Sequence, residues 1–204
     1  MFIVFEGVDG SGKSTLSSAL NQKLQQNYAT IHLKEPTDTT IYAEKIKKIL
    51  SGNTMNEEIR VELLELFYQD RLWNIEHNIK PALDKGTIVL CDRFYYSTAA
   101  YQGINPEDAM SIAHSYFSNE KIIQPDIILF LNISPENSLK RVYARKEEIA
   151  VFEKIEFLTR VSRNYLRLFS DDLLKGSVFT IDADQNQRDI FVQCYQLILE
   201  KLTK

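Results

Sequence analysis

Residues 7–14 read Gly-Val-Asp-Gly-Ser-Gly-Lys-Ser, a full match to the spacing GxxxxGK followed by Ser or Thr. Its setting is what constrains the fold. The apolar run at 2–6 precedes it, and Leu16, Ala19, Leu20 and Leu24 follow at helical spacing within 13–27. A strand, a glycine-rich turn and a helix in that order build an anion cradle. The glycines let the backbone turn its N–H groups inward, and the helix directs its positive end at the same point. Gly7, Asp9, Gly10, Ser11, Gly12, Lys13, Ser14 and Thr15 are therefore expected around the phosphates of a nucleoside triphosphate. Lys13 reaches the β- and γ-phosphates, and the Ser14 hydroxyl is a candidate Mg²⁺ ligand. The bland alternative, a glycine turn that happens to precede Lys-Ser, is disfavoured by the flanking elements. The motif leaves the phosphoryl acceptor open.

The remaining pattern alternates short apolar runs with helical ones. Strands are expected at 2–6, 29–34, 87–91, 126–133 and 177–181, and helices at 13–27, 41–50, 57–84, 106–121, 135–146, 153–174 and 187–203. Strands separated by helices imply right-handed crossovers and a parallel sheet covered on both faces. The expected fold is α/β, a three-layer α/β/α P-loop fold with a five-stranded parallel sheet, as one domain over 1–204. Ligands of such sheets bind beyond the carboxyl ends of the strands.

The formal charge of −4 supplies no global field for nucleic acid or an anionic membrane, so neither is expected as a partner. An anionic small substrate must then be gripped by local cations. Cys91 and Cys194 form no CxxC pair, and Cys91, within an apolar run, reads as a small buried hydrophobe. No stretch approaches the ~20 apolar residues that cross a bilayer. The N-terminal residues lack the pattern of a signal peptide, so a cytoplasmic location is expected.

Beyond the phosphate loop, the chain carries Phe5-Glu6-Gly7-Val8-Asp9, Glu35-Pro36-Thr37, Phe67 with Arg71, Asp92-Arg93-Phe94, Ser97, Ala100-Tyr101-Gln102-Gly103 and Pro125-Asp126. In order and spacing these resemble the thymidylate kinase family over nearly the whole chain. The residues themselves give part of the reading. Asp92-Arg93 closes the strand 87–91, which puts a carboxylate near Mg²⁺ and a planar guanidinium fork near a phosphate. Phe67 and Arg71, four apart on a helix, share a face suited to a flat base. An ordinary strand-end ion pair, a core Phe67 and a solvated Arg71 are the plain alternatives. The resemblance implies more. Arg93 engages the acceptor phosphate, Phe67 stacks on thymine, and Arg71 contacts its base or phosphate side. Tyr101 packs on the deoxyribose, Gln102 lies near the base, and Asp9 approaches the acceptor sugar. Ser97 and Glu35 complete the substrate site. The family also implies ATP as phosphoryl donor, dTMP as acceptor and a homodimer, to which helices 57–84 and 106–121 are plausible contributors.

Phosphoryl transfer needs cations around the moving group and exclusion of water. The candidate lid is 141–153, with Arg141, Arg145 and Lys146. The family sets its catalytic arginine in either the phosphate loop or the lid. This loop has Gly10 and Ser11 and no arginine, so Arg145 joins Lys13, Arg93 and Asp9 as a catalytic candidate. Lys34 and Lys47 stand where many relatives carry arginine, which loses the bidentate grip. Residues 182–188, after the last strand, border the adenine by position. Two other readings remain open at this point: a deoxynucleoside kinase with Glu35 as general base, and a non-catalytic nucleotide-binding switch.

Overall fold

The computed structural model describes residues 1–52, 56–143, 151–171 and 177–203. Among these residues five strands, β1 (Phe2–Glu6), β2 (Thr30–Lys34), β3 (Ile88–Asp92), β4 (Ile127–Asn132) and β5 (Val178–Asp182), form one sheet in the order β2-β3-β1-β4-β5. Every pairing is parallel. β1, β3 and all but the last residue of β4 are buried. Strands covered on both faces must read as continuous apolar runs, which is why these three stood out in the sequence.

The helices are α1 (Lys13–Leu24), α2 (Ile41–Leu50), α3 (Glu57–Asn74), α4 (Lys80–Asp84), α5 (Tyr95–Gln102), α6 (Pro106–Phe117), α7 (Pro135–Tyr143), α8 (Val151–Leu168) and α9 (Gln187–Leu202). Side-chain caps set several starts: Thr40, Asn56 and Asn105 accept from the backbone N–H three residues on. The expected single helix over 57–84 is instead interrupted. A π-helical turn, Ile75–Ile79, joins α3 to α4, and the Lys80 N–H reaches back five residues to the Ile75 carbonyl. The reason lies at Pro81, whose ring would collide with the His77 carbonyl in a regular helix.

Three other helices stop short of the expected bounds. α1 ends at Leu24, α6 at Phe117 and α8 at Leu168, and each frays into single turns in which backbone N–H groups still find carbonyls. Residues 144–146 of the helix expected over 135–146 lie outside the described residues. The stretch holding Tyr101-Gln102, expected as loop or short helix, is the helix α5 with seven of its eight residues buried. Cys91 and Cys194 are buried and unpaired with each other.

Because all strands run the same way, the residues that follow β1, β2 and β3 emerge at one edge. The phosphate loop, Glu35 and Arg93 therefore meet there. Their neighbourhood is fixed by main-chain bonds: Glu35 N–H donates to the Asp92 carbonyl at 3.0 Å and Arg93 N–H to the Phe5 carbonyl at 2.9 Å. No helix among the described residues is long and apolar enough to cross a membrane.

Candidate active site

The loop between β1 and α1 is held in shape from two sides. Gly7 has φ 144°, and a Cβ there would lie 2.5 Å from the Leu131 carbonyl oxygen on β4. Gly10, at φ 79°, packs against α7, where a Cβ would meet the Ser138 carbonyl at 2.6 Å. Only glycine fits either position. Ser138 also donates its hydroxyl to the Asp9 carbonyl at 2.5 Å. Lys13 is 5% exposed and curls back over the loop, donating to the Val8 carbonyl at 2.8 Å. Burial, with the nearby Arg93 charge, lowers the Lys13 ammonium to about 7.

Ser14 sits at the start of α1 and donates its hydroxyl to Asp92 Oδ2. The second oxygen, Asp92 Oδ1, is buried without a hydrogen-bond partner. An orphaned carboxylate oxygen beside a hydroxyl, next to a phosphate cradle, fits a hard divalent cation. Among the described residues there is no group of three or more His, Cys, Asp or Glu able to hold a metal by themselves. Such a cation would take its other oxygens from phosphate and water, as Mg²⁺ does.

Two cavities open on either side of this loop. One, of about 340 Å³, is bounded by Ser11, Gly12, Thr15 and Leu16, by Leu131 and Ala183, and by Gln187, Arg188, Ile190 and Phe191 of α9. Arg141 forms part of its wall and donates to the Ala183 carbonyl at 2.9 Å. Sequence reasoning pointed to 182–188 here without naming residues, and it missed Phe191. The helical step from Gln187 to Phe191 along α9 was the available signal.

The second cavity, of about 220 Å³, is lined by all eight residues expected around the acceptor: Asp9, Glu35, Phe67, Arg71, Arg93, Ser97, Tyr101 and Gln102. Pro36, Leu50, Phe94 and Thr98 complete it. Five chain segments contribute, and each side chain is set by its own element. Phe67 is half-buried at the edge of the cluster of Ile46, Leu63 and Leu66, so it is at once packing residue and cavity wall. Arg71, one helical turn on, is not solvated. It is 1% exposed and meets Glu35 Oε2 through Nε at 2.8 Å and Nη2 at 2.7 Å. Its Nη2 also donates to Thr98 Oγ1 at 3.1 Å, while Nη1 is buried with no partner. Burial raises the Glu35 carboxyl, and the Arg71 charge pulls it back only in part.

Arg93 adopts φ 73°, an uncommon conformation for a residue with a side chain. Its guanidinium pairs with Asp9 of the phosphate loop, donates from Nη1 to Ser97 Oγ at 3.0 Å, and lies 5.0 Å from the Tyr101 ring centre. Tyr101 in turn accepts from the Asp9 N–H at 2.9 Å. Burial would raise the Asp9 carboxyl, but the Arg93 and Lys13 charges outweigh it and the net shift is downward. The same logic holds for Arg93: burial opposes its charge, and Tyr101 and Asp9 more than compensate, so it stays cationic. Gln102 is buried, and its carbonyl accepts from Arg60 Nη1 at 3.3 Å.

Sequence reasoning missed Asp70. It is 1% exposed on α3, and it accepts from the Thr37 N–H at 2.7 Å, the Thr37 hydroxyl at 2.6 Å and the Thr40 hydroxyl. These bonds tie the Glu35-Pro36-Thr37 turn, whose Glu35–Pro36 peptide is cis, to the helix that carries Phe67 and Arg71. An aspartate at a core-facing helical position was the signal. Lys34 and Lys47 both bridge Asp38 at 2.6 Å on the surface, and neither lines the cavity. Arg145 and Lys146 lie outside the described residues.

The site can therefore seat a triphosphate on the loop and a second anionic, flat-ringed molecule in the cavity beyond Arg93. The chain is also similar to known proteins over nearly its whole length. The family description "Thymidylate kinase" matches residues 5–193. A thymidylate kinase of Leptospira interrogans is 35% identical, with 99% of this chain and 95% of the relative covered. One of Desulfotalea psychrophila is 38% identical, covering 96% and 95%. A probable thymidylate kinase of Staphylothermus marinus is 33% identical, covering 98% and 96%.

Proposed function

The chain belongs to the thymidylate kinase family, and on that premise we propose that it transfers the terminal phosphoryl group of ATP to dTMP, giving ADP and dTDP. The observation that carries this reading is the position of Arg93. It stands between the phosphate loop, through its pair with Asp9, and an acceptor cavity whose walls supply another guanidinium, that of the buried Arg71.

In this reading the triphosphate lies on the backbone amides of Gly7 to Thr15 with Lys13 at its β- and γ-phosphates. Its base enters the cavity beside Phe191, Gln187 and Arg188. The dTMP phosphate meets Arg93, thymine lies over Phe67 with Arg71 and Gln102 at its edge, and the deoxyribose lies against Tyr101. A ring packed there leaves little room for a ribose 2′-OH. Ser14 and Asp92 are the residues that would hold Mg²⁺, which when bound neutralises charge on the transferring phosphates. The acceptor oxygen is already ionised at neutral pH, so no general base is required. Glu35 is tied up by Arg71 and by Asn74 Nδ2 at 3.2 Å, which disfavours it as the base a deoxynucleoside kinase would need. An acceptor cavity has no use in a pure switch.

Around this site we read one domain with a lid at 141–153, Arg145 being its candidate catalytic cation, in a cytoplasmic homodimer. The outward faces of α3 and α6 offer a surface for the dimer, with Val61, Leu64, Tyr68 and Ile112 along a shared groove.

The test is ADP release coupled to absorbance, with dTMP, dUMP, UMP, dCMP and thymidine compared as acceptors. dTMP is expected to be best and thymidine inactive. Faster turnover of thymidine would replace this reading with a nucleoside kinase, and ADP release independent of any acceptor would replace it with a switch.

A further inference from the structure

Glu6, the last residue of β1, is 0% exposed and has no part in the reaction outlined above. Burying a carboxylate without a direct cationic partner is costly, and no ion pair involves Glu6 among the described residues. Its four hydrogen bonds show what holds it. Oε1 accepts from the N–H groups of Phe94 at 2.8 Å and Ser97 at 3.2 Å, the start of α5. Oε2 accepts from the Ser97 hydroxyl at 2.5 Å and from the Tyr165 hydroxyl at 2.9 Å. The Ser97 and Tyr165 oxygens are themselves 2.8 Å apart, so Glu6, Ser97 and Tyr165 close a triangle.

Arg93 hangs from one corner of that triangle, since its Nη1 donates to Ser97 Oγ at 3.0 Å. A hydroxyl has one hydrogen. While the Ser97 hydrogen points at Glu6, a lone pair is free to face Arg93. Without the carboxylate the hydroxyl can rotate, and that lone pair is no longer aimed. We propose that Glu6 and Tyr165 are positioning residues for Arg93, acting through Ser97 to hold the guanidinium where an acceptor phosphate meets it.

Tyr165, fully buried on α8, also brings that helix into the arrangement. Its neighbour Asn164 donates through Nδ2 to the carbonyls of Ala100 and Gly103, both at 2.9 Å. The helix that follows residues 144–150 is thus bonded to both ends of α5, which carries Ser97 and Tyr101.

This inference rests on the dTMP kinase reading, and its test separates the two. Calorimetric affinities and KM values for dTMP and ATP are measured for the wild type, Tyr165→Phe, Ser97→Ala and the double variant. Loss of one hydrogen bond in the chain to Arg93 is expected to weaken dTMP about 5- to 10-fold in Tyr165→Phe, with ATP unchanged. In the Ser97→Ala background the same substitution should add no further loss, because its route to Arg93 is gone. Glu6→Gln should move dTMP affinity in the same direction; if that variant does not fold, the Tyr165–Ser97 cycle decides. An unchanged dTMP affinity in Tyr165→Phe, equal losses for dTMP and ATP, or an equal effect in both backgrounds would overturn the positioning role. Absence of dTMP binding by the wild type would overturn the functional reading and this inference with it.

Discussion

Arg71 and Glu35 meet at 2.7 Å with side chains 1% and 3% exposed, 36 residues apart in the chain and both lining the same cavity. Breaking a buried pair by removing one partner strands the other charge. Arg71→Ala is expected to cost about 3–5 kcal/mol of stability and to abolish measurable dTMP affinity. The double variant Arg71→Met/Glu35→Leu should recover much of the stability without recovering binding. Chemical denaturation and calorimetry on the same samples check both halves; recovery of dTMP affinity in the double variant would show that Arg71 serves packing alone.

Arg93 lies on the acceptor side of the phosphate loop. Arg93→Ala should weaken dTMP by about 10- to 100-fold, the size of one or two lost charge-assisted hydrogen bonds. ATP affinity should stay within about 3-fold, since the loop amides are untouched. Equal loss of the two affinities, measured by titration calorimetry, would contradict the assignment.

Lys13 titrates near 7 in the folded protein against 10.5 in its ordinary state, mainly because it is buried. Between those values the unfolded chain binds a proton that the folded one does not. Stability from this group therefore rises as pH climbs from 7 towards 10.5. Triphosphate seated beside Lys13 should restore its proton. ATP binding at about pH 8.5 is expected to take up close to one proton, seen as a dependence of the calorimetric heat on buffer ionisation enthalpy. Lys13→Met should abolish that uptake and also flatten the pH dependence.

Asp70 ties the Glu35-Pro36-Thr37 turn to α3 through three acceptor bonds. Asp70→Ala takes the carboxylate acceptor away from the buried Thr37 N–H and from the Thr37 and Thr40 hydroxyls, so a loss of about 2–4 kcal/mol is expected, with dTMP affinity falling more than ATP affinity. Thermal melts and KM values for each substrate check this.

The phosphate loop was legible in the chain because all its parts are contiguous: strand, glycines, Lys13, Ser14 and helix lie within residues 2–24 and report a local backbone need. The buried strands β1, β3 and β4 were legible for a similar reason, as unbroken apolar runs. Helix interruption at 75–79 was harder, because Pro81 is compatible with either a stop or a π-helical turn. α5 was obscured by burial on nearly every side, which erases the polar face that periodicity depends on.

What the sequence alone determined was a glycine-rich phosphate-loop motif after the first strand; the acceptor-site candidates came from resemblance. The tertiary structure decided how those residues meet: Arg71 against Glu35 rather than in solvent, Asp70 under the Thr37 turn, Phe191 beside the phosphate loop, and Glu6 beneath Ser97. The physical reason is range. A backbone turn is specified by neighbours along the chain, whereas the partner of a buried charge is chosen by which strands and helices the packed core brings within about 3 Å.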